Sequence, residues 1–153
     1  MRQPQFGNYL EEFKVGSVIN HTARKTILES DNNLFTLLTM NHHPVHLDVE
    51  YCKKHPHGKI LVVGTLVFSL VVGFTVADIS GKAIANLDYE KINHDGPVFI
   101  GDTLHAETEI LKVRESKSKS DRGIVYVETR AFNQKNEKAL TFRRHVLITK
   151  RNV

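Results

Sequence analysis

The sequence has very little cysteine and no apolar stretch at its amino end. Cys52 is the single cysteine among 153 residues, which excludes an internal disulfide and is compatible with a reducing compartment. The first thirteen residues, MRQPQFGNYLEEF, lack the continuous apolar core of a secretory signal peptide. We therefore expect a cytoplasmic location and interpret Cys52 as an ordinary, unreactive thiol.

The sequence also lacks the motifs of several common catalytic sites. It contains no phosphate-binding loop of the Walker type, no serine nucleophile elbow, no HExxH pattern and no cysteine-rich zinc pattern. Five histidines do crowd residues 42–57. Pro44, however, keeps His43 and His46 from sharing one face of a regular helix, so a catalytic metal is not expected.

The composition favours one globular domain spanning residues 1–153. Hydrophobic residues make up 41% of the chain and charged residues 25%, which suits a single domain with a sizeable core. The net charge of +4 is dispersed along the sequence, so we expect no nucleic-acid partner. One basic cluster is open to two interpretations, a solvated turn or a contact for phosphate groups. Its members are Lys112, Arg114, Lys117, Lys119 and Arg122.

One long, mostly apolar run covers residues 60–77. Its eighteen residues approach the length of a membrane span, but Gly64, Thr65, Ser69 and Gly73 interrupt it and no aromatic belt marks its ends. The rest of the chain alternates like the strands of a water-soluble protein. We therefore predict a helix that is buried by a surrounding sheet, and no membrane span.

Hydrophobic periodicity elsewhere predicts strands and one further helix. The alternating segments are residues 18–27, 83–92, 103–114, 124–133 and 139–150. Ser30 and Asp31 can cap a helix, because their oxygens accept hydrogen bonds from the free N–H groups of a first turn. That helix should end near Asn41, since Pro44 forbids its continuation.

The buried helix is expected to begin at Gly64 and to run to about Ala77, with Gly81 in the turn that follows. The last three strands are long and joined by short loops, which indicates an antiparallel meander. The prediction is an α+β architecture in which about five antiparallel strands curl around one long helix.

Two segments carry a resemblance to a known family. FTLLTMNHHPVHLD at residues 35–48 and PVFIGDTL at residues 97–104 resemble elements of the MaoC-like dehydratases, the (R)-specific enoyl-CoA hydratase group. The resemblance spans about residues 13–144. It implies a hot-dog fold and an acyl-CoA substrate, with coenzyme A as part of the substrate and no separate cofactor. It also implies a homodimer or a dimer of dimers with active sites at the interface.

The family signature has an acid, a polar residue two positions on, then proline, and a histidine five positions after the acid. Carried onto this sequence, the histidine falls on His46 and the proline on Pro44. Asn41 stands where the family has the acid, and His43 stands where it usually has asparagine. The glycine that opens the central helix falls on Gly64. Because an amide cannot transfer a proton as a carboxylate can, Asn41 removes one proton-transfer group of the family's site.

The resemblance implies a role for each of these residues. His46 is expected to act as general base and acid, because an imidazole exchanges protons near neutral pH. The backbone N–H of Gly64, at the positive end of a buried helix, would polarise the thioester carbonyl. Asn41 would hold the water or the substrate, and His43 would supply a second proton-transfer group.

Each of these roles has a structural alternative. Asn41 can be a left-handed residue that ends a helix, and His43 can be structural or solvent-facing. Gly64 can serve tight packing of the helix on the sheet, and His46 can merely form a hydrogen bond in a loop. Asp48 is better interpreted as a helix cap than as a catalytic acid.

The predicted enzyme is a hydratase or dehydratase that adds or removes water across the α,β bond of an enoyl-CoA thioester. Relatives with the asparagine variant suggest branched or dicarboxylic acyl groups of the mesaconyl or methylmalyl type. Two alternatives stay open. One is a hot-dog acyl-CoA thioesterase, and the other is a catalytically silent acyl-CoA-binding subunit in which Asn41 records the loss of the acid.

Overall fold

A computed structural model describes residues 5–151. Its α-helices are α1 (Glu29–Thr39), α2 (Val49–Lys53) and α3 (Gly64–Phe74). Its strands are β1 (Val18–Thr26), β2 (Ala83–Asn86), β3 (Glu90–His94), β4 (Thr103–Glu115), β5 (Arg122–Phe132) and β6 (Lys138–Thr149). The prediction of one domain covers 1–153, so its first four and last two residues lie outside the described residues.

The strands form one antiparallel sheet. Their order is β1-β4-β5-β6-β2, and β3 also pairs with β6. The register places Ala131 of β5 opposite both Ala106 and Leu140. Buried and less buried residues alternate along β4, β5 and β6, as expected when one face of a sheet covers the core. The predicted antiparallel meander is confirmed.

The predicted strand over residues 83–92 is wrong in one respect, because it is divided into β2 and β3. Both strands pair with β6, one after the other along its length. At the break, the Asp88 carboxylate accepts a hydrogen bond from the backbone N–H of His145 at 2.8 Å. The N–H of Leu87 donates to the His145 carbonyl at 2.9 Å. At this point the Asp88 side chain, and not a backbone carbonyl of a neighbouring strand, accepts the hydrogen bond of β6. Hydrophobic alternation in the sequence does not show such a replacement.

Helix α3 lies against the inner face of the sheet. Val67, Val71 and Phe74 follow one side of the helix and are 2%, 0% and 5% exposed. They pack in one cluster with Leu104 of β4 and Phe142 of β6. The prediction of a helix buried by a curled sheet is confirmed. Within residues 5–151, no helix combines the length and the apolar character that crossing a membrane requires.

The regular part of α3 is shorter than predicted. It ends at Phe74, and a π-helical turn, Val76–Ser80, follows it. Gly81 lies in the turn that follows, as predicted, and has φ −61. A Cβ at Gly81 would lie 2.8 Å from the Cα of Gly7. Glycine is needed there because two backbone segments approach closely.

The start of α1 uses one of the two predicted capping residues. The helix begins at Glu29, and the Asp31 carboxylate accepts a hydrogen bond from the N–H of Leu28 at 2.9 Å. Ser30 lies inside the first turn and is not the cap. The predicted helix is otherwise confirmed.

The packing of α1 is the reverse of the usual amphipathic pattern. Its fully buried residues are Asn32 and Thr36, each 0% exposed. Leu34, Leu37 and Leu38 are 58%, 67% and 75% exposed. A surface helix normally turns its apolar stripe toward the core. Here the fully buried side chains are polar and the leucines are largely exposed.

Candidate active site

The segment after α1 carries the predicted signature. Met40, directly after the helix, has φ 59 and is the left-handed residue of this helix end. The alternative that Asn41 takes this conformation is therefore wrong. Asn41 is half-buried, and its N–H donates to the Thr36 carbonyl at 3.2 Å. Its side-chain amide has no hydrogen-bond partner within residues 5–151, so it is free to bind a water or a substrate oxygen.

His46 ends a 3₁₀ turn, Pro44–His46, and is half-buried. Its Nδ1 lies 2.7 Å from the carbonyl oxygen of Leu61. Because a carbonyl only accepts, Nδ1 must carry the proton in this bond. In the neutral ring Nε2 is then unprotonated and can accept a proton from water. The hydrogen bond thus orients the ring and selects the tautomer that a general base needs.

His43 lies at the start of the same turn. It is exposed, and its Nδ1 accepts a hydrogen bond from the N–H of Val45 at 3.1 Å. The ring centroids of His43 and His46 are 6.2 Å apart. His43 therefore has a structural role as the cap of the turn, beside the second proton-transfer role that the resemblance implies.

Residues 42–46, here called the histidine segment, are hydrogen-bonded to the residues that lead into α3. The N–H of Leu61 donates to the Val45 carbonyl at 3.1 Å. The side chain of Asn32 joins the same two segments: its Nδ2 donates to the His46 carbonyl at 3.0 Å, and its Oδ1 accepts from the N–H of Val63 at 3.1 Å. His46 is thereby held close to the amino end of α3.

Asn32 was missed by the sequence analysis. The available signal was a polar residue at a helix position whose neighbours on the opposite face are leucines. Hydrophobic periodicity reports only which face is apolar, and the usual assumption that this face is buried is wrong for α1.

Gly64 is the first residue of α3. The N–H groups of Gly64 and Thr65 have no acceptor within residues 5–151, as is usual for a helix start. A Cβ at Gly64 would lie 2.8 Å from Cε1 and 3.0 Å from Nε2 of His94. A mostly apolar cavity of about 200 Å³ adjoins this point. Its walls include Leu61, Gly64, Val67, His94 and Val98. Both the close packing and the open N–H groups explain a glycine here.

The PVFIGD element supports the entry to α3. The N–H of Val62 donates to the Val98 carbonyl at 2.9 Å. The following turn is closed by Asp102, whose carboxylate accepts from the N–H of Phe99 at 2.8 Å. Gly101 has φ 94, a conformation that favours glycine. This element therefore positions the backbone that leads into Gly64.

A second apolar cavity, of about 230 Å³, separates α1 from α3. Leu66 and Leu70 of α3 face Leu34, Phe35 and Leu38 of α1 across it. These residues come from both segments that adjoin the candidate site.

The basic cluster of residues 112–122 lies elsewhere. It lines a shallow cavity of about 790 Å³ at the β4–β5 hairpin. The thirteen residues of β4 separate this hairpin from Asp102 by about 40 Å. Within one chain the cluster therefore lies at the opposite end of β4 from the PVFIGD element.

Two further residues behave as ordinary structural groups. Asp48 caps α2, accepting from the N–H of Tyr51 at 3.0 Å, which confirms its predicted capping role. Cys52 is 0% exposed, and its Sγ lies 3.2 Å from the Val45 carbonyl.

The histidines are not gathered around a common point: across residues 5–151, no group of three or more His, Cys, Asp or Glu side chains is placed to hold a metal ion.

Known proteins are similar to this chain in sequence. The chain is 34% identical over 146 residues to mesaconyl-CoA hydratase of Cereibacter sphaeroides, covering 95% of the chain and 42% of that relative. It is equally identical, over the same length, to β-methylmalyl-CoA dehydratase of Chloroflexus aurantiacus, covering 41% of that relative. The chain thus spans less than half the length of these curated relatives.

Solved structures share the fold. A putative MaoC domain dehydratase from Chloroflexus aurantiacus superposes with a TM-score of 0.93 at 32% identity, over 99% of this chain and 43% of that one. A Mycobacterium tuberculosis protein with a double hot-dog fold superposes with a TM-score of 0.83 at 20% identity, over 95% of this chain and 45% of that one.

The family model described as MaoC like domain matches residues 12–131. This range includes the histidine segment, the start of α3 and the PVFIGD element. From the matched range, the relatives and the superpositions it follows that the chain belongs to the MaoC-like domain family and has the hot-dog fold.

Proposed function

We propose that this chain is a hydratase or dehydratase that adds or removes water across the α,β bond of an enoyl-CoA thioester. The observation that carries the proposal is the 2.7 Å hydrogen bond from His46 Nδ1 to the Leu61 carbonyl. It leaves Nε2 as a base and ties the ring to the segment that enters α3. The names of the two relatives support the same reaction class.

In the hydration direction, Nε2 of His46 accepts a proton from water while the water oxygen bonds to the β carbon. The π electrons move to the thioester oxygen, where the N–H groups at the start of α3 stabilise the enolate. The imidazolium then returns the proton to the α carbon, and the thioester carbonyl re-forms. Asn41 binds the attacking water through its amide and takes no part in proton transfer.

The acyl group lies in the apolar cavity between α1 and α3, where Leu66 and Leu70 limit the length of the acyl chain. The proposed substrates are branched or dicarboxylic acyl-CoA thioesters of the mesaconyl or methylmalyl type, because two relatives that are 34% identical over 95% of the chain are named for them. Coenzyme A takes part only as the carrier of the acyl group.

The proposed assembly is a homodimer or a dimer of dimers. Its support is the exposed apolar side of α1, formed by Leu34, Leu37 and Leu38, together with relatives more than twice the length of this chain. Light scattering after size-exclusion chromatography tests it, since a monomer of 17.4 kDa would contradict the assembly. A cytoplasmic location is proposed on the strength of the free Cys52 thiol.

One observation favours a second candidate, a catalytically silent acyl-CoA-binding subunit. Asn41 replaces the acid of the family signature, and its side chain has no protein partner among the described residues. In that case the chain would bind enoyl-CoA without hydrating it, and Asn41→Asp would create activity.

The test is a panel of enoyl-CoA thioesters that includes crotonyl-CoA and mesaconyl-CoA. We expect loss of the enoyl absorbance without release of free thiol. Release of coenzyme A thiol would instead indicate a thioesterase, in which water attacks the carbonyl carbon. Binding without either reaction would support the silent subunit.

A further inference from the structure

We infer that Asn32 is a positioning residue that fixes His46 relative to the amino end of α3. This inference rests on the proposed function, because it concerns the separation of the proposed base from the proposed oxyanion donors. Asn32 is fully buried and would act through the backbone of the residues that contact substrate and water.

The two hydrogen bonds of the Asn32 amide reach the two halves of the site. Nδ2 donates to the backbone carbonyl of His46 at 3.0 Å. Oδ1 accepts from the N–H of Val63, the residue directly before Gly64, at 3.1 Å. One rigid, planar amide therefore spans from the base to the start of the helix.

Only a side chain with both a donor and an acceptor makes these two bonds. An ionised aspartate accepts but does not donate, and leucine of similar size does neither. Asn32 is 0% exposed and Val63 is 2% exposed, so water does not readily substitute for the lost partner. The amide is thus matched to the two backbone groups it joins.

The packing of α1 supports a role beyond filling space. A core position on a helix is ordinarily apolar, yet α1 turns Asn32 inward and leaves Leu34 and Leu37 in solvent. The histidine segment and the residues that lead into α3 are also joined by the hydrogen bonds of Leu61 with Val45 and His46. Asn32 adds a link from α1, so that α1, the histidine segment and the start of α3 are held together as one unit.

The first experiment measures kcat and KM of Asn32→Leu on the enoyl-CoA that the wild type hydrates fastest, corrected for folded protein. We expect kcat to fall by about 10- to 100-fold, because a small misplacement of the base is costly, while KM changes by less than about threefold. Thr36→Val is the matched control. Thr36 is equally buried one turn along α1, but its hydroxyl donates only to the Asn33 carbonyl at 2.8 Å, so kcat should be unchanged.

A second variant separates positioning from folding. In Asn32→Asp, the protonated carboxyl can donate to the His46 carbonyl and accept from Val63, whereas the ionised form can only accept. The ratio of variant kcat to wild-type kcat should therefore rise as pH falls. A purely structural role would give a constant ratio once folded protein is counted. A constant ratio, or equal losses in Asn32→Leu and Thr36→Val, would overturn the inference.

Failure of the proposed function is distinguishable from failure of this inference. If the wild type hydrates no enoyl-CoA, the function fails and the role of Asn32 is then measured without turnover. Nitrogen NMR of the His46 ring reports the tautomer directly. The inference predicts a single Nδ1–H form in the wild type and a mixture in Asn32→Leu. An identical ring spectrum in both proteins would overturn it.

Discussion

His46 shows how one hydrogen bond prepares a side chain for chemistry. The Leu61 carbonyl accepts from Nδ1 at 2.7 Å and so leaves Nε2 without a proton in the neutral ring. A carboxylate at position 41 would add a second proton-transfer group, but an amide there orients water only. In the proposed site His46 is the principal acid/base and Asn41 acts by positioning, while His43 stays the candidate for a second proton-transfer group.

Asn41 gives the first prediction at this scale. Asn41→Ala removes the amide that we propose to hold the water, so we expect kcat for enoyl-CoA hydration to fall by about 10- to 100-fold. The neighbouring His42 is exposed and supplies the control, because His42→Ala should keep the wild-type kcat. Equal rates for wild type and Asn41→Ala would remove Asn41 from the site.

At the scale of elements, the start of α3 joins a helix end to the candidate site. The sequence predicted this start because Gly64 interrupts a long apolar run and precedes a buried helix. It did not predict the inward face of α1, because the partners of Asn32 lie 14 and 31 residues further along the chain. The break at Asp88 escaped prediction for the same reason: its partner, His145, lies 57 residues away. The local sequence pattern shows the hydrophobic periodicity and the helix-capping residues, whereas these contacts depend on the tertiary fold.

The two glycines of α3 provide a matched test. In Gly64→Ala, the new methyl group would meet the His94 ring at 2.8 Å and obstruct approach to the N–H groups. We expect kcat to fall by about 100-fold. Gly73 lies in the same helix with nothing within 4 Å of its absent Cβ. Gly73→Ala should keep the kcat and raise the free energy of unfolding by about 0.5–1 kcal/mol.

Steady-state kinetics and urea unfolding of the two variants check this pair. If Gly64→Ala kept wild-type kcat, Gly64 would serve packing alone.

At the scale of the whole molecule, a ladder of charges joins three strands of the sheet. Arg130 donates to Glu107 and Glu109 at 2.9 Å and to Glu128 at 3.0 Å. Glu128 also accepts from Arg143 at 2.6 Å. Burial raises the pKa of Glu128, but the hydrogen bonds and charges of Arg143 and Arg130 outweigh it, so the pKa lies below its ordinary value.

A lowered pKa in the folded state predicts a pH-dependent contribution to stability. The contribution of Glu128 is present above the unfolded-state pKa of about 4.3 and is lost as pH falls through the lower folded-state pKa. Glu128→Gln should therefore lower the free energy of unfolding by about 1–3 kcal/mol at pH 7. Urea titrations across pH should show the difference from wild type shrinking below about pH 4. If the difference in the free energy of unfolding between wild type and Glu128→Gln were constant with pH, the ionised Glu128 would not contribute through this ladder of charges.

A single core residue contributes more to the free energy of unfolding than Glu128 does. Phe142 is 0% exposed and packs edge-on against Phe68, with ring centroids 5.1 Å apart. Phe142→Ala should lower the free energy of unfolding by about 3–5 kcal/mol. Val15 is 62% exposed, so Val15→Ala should change it by less than about 0.5 kcal/mol. Thermal and urea unfolding of both variants provide the check.

The most direct test of the account is the turnover of crotonyl-CoA and mesaconyl-CoA by the wild type and by His46→Ala. With the imidazole as the principal acid/base, hydration by the variant should fall by about 10²- to 10⁴-fold while the protein remains folded. Hydration at an unchanged rate would show that the chemistry takes place without His46 and would contradict the proposed site.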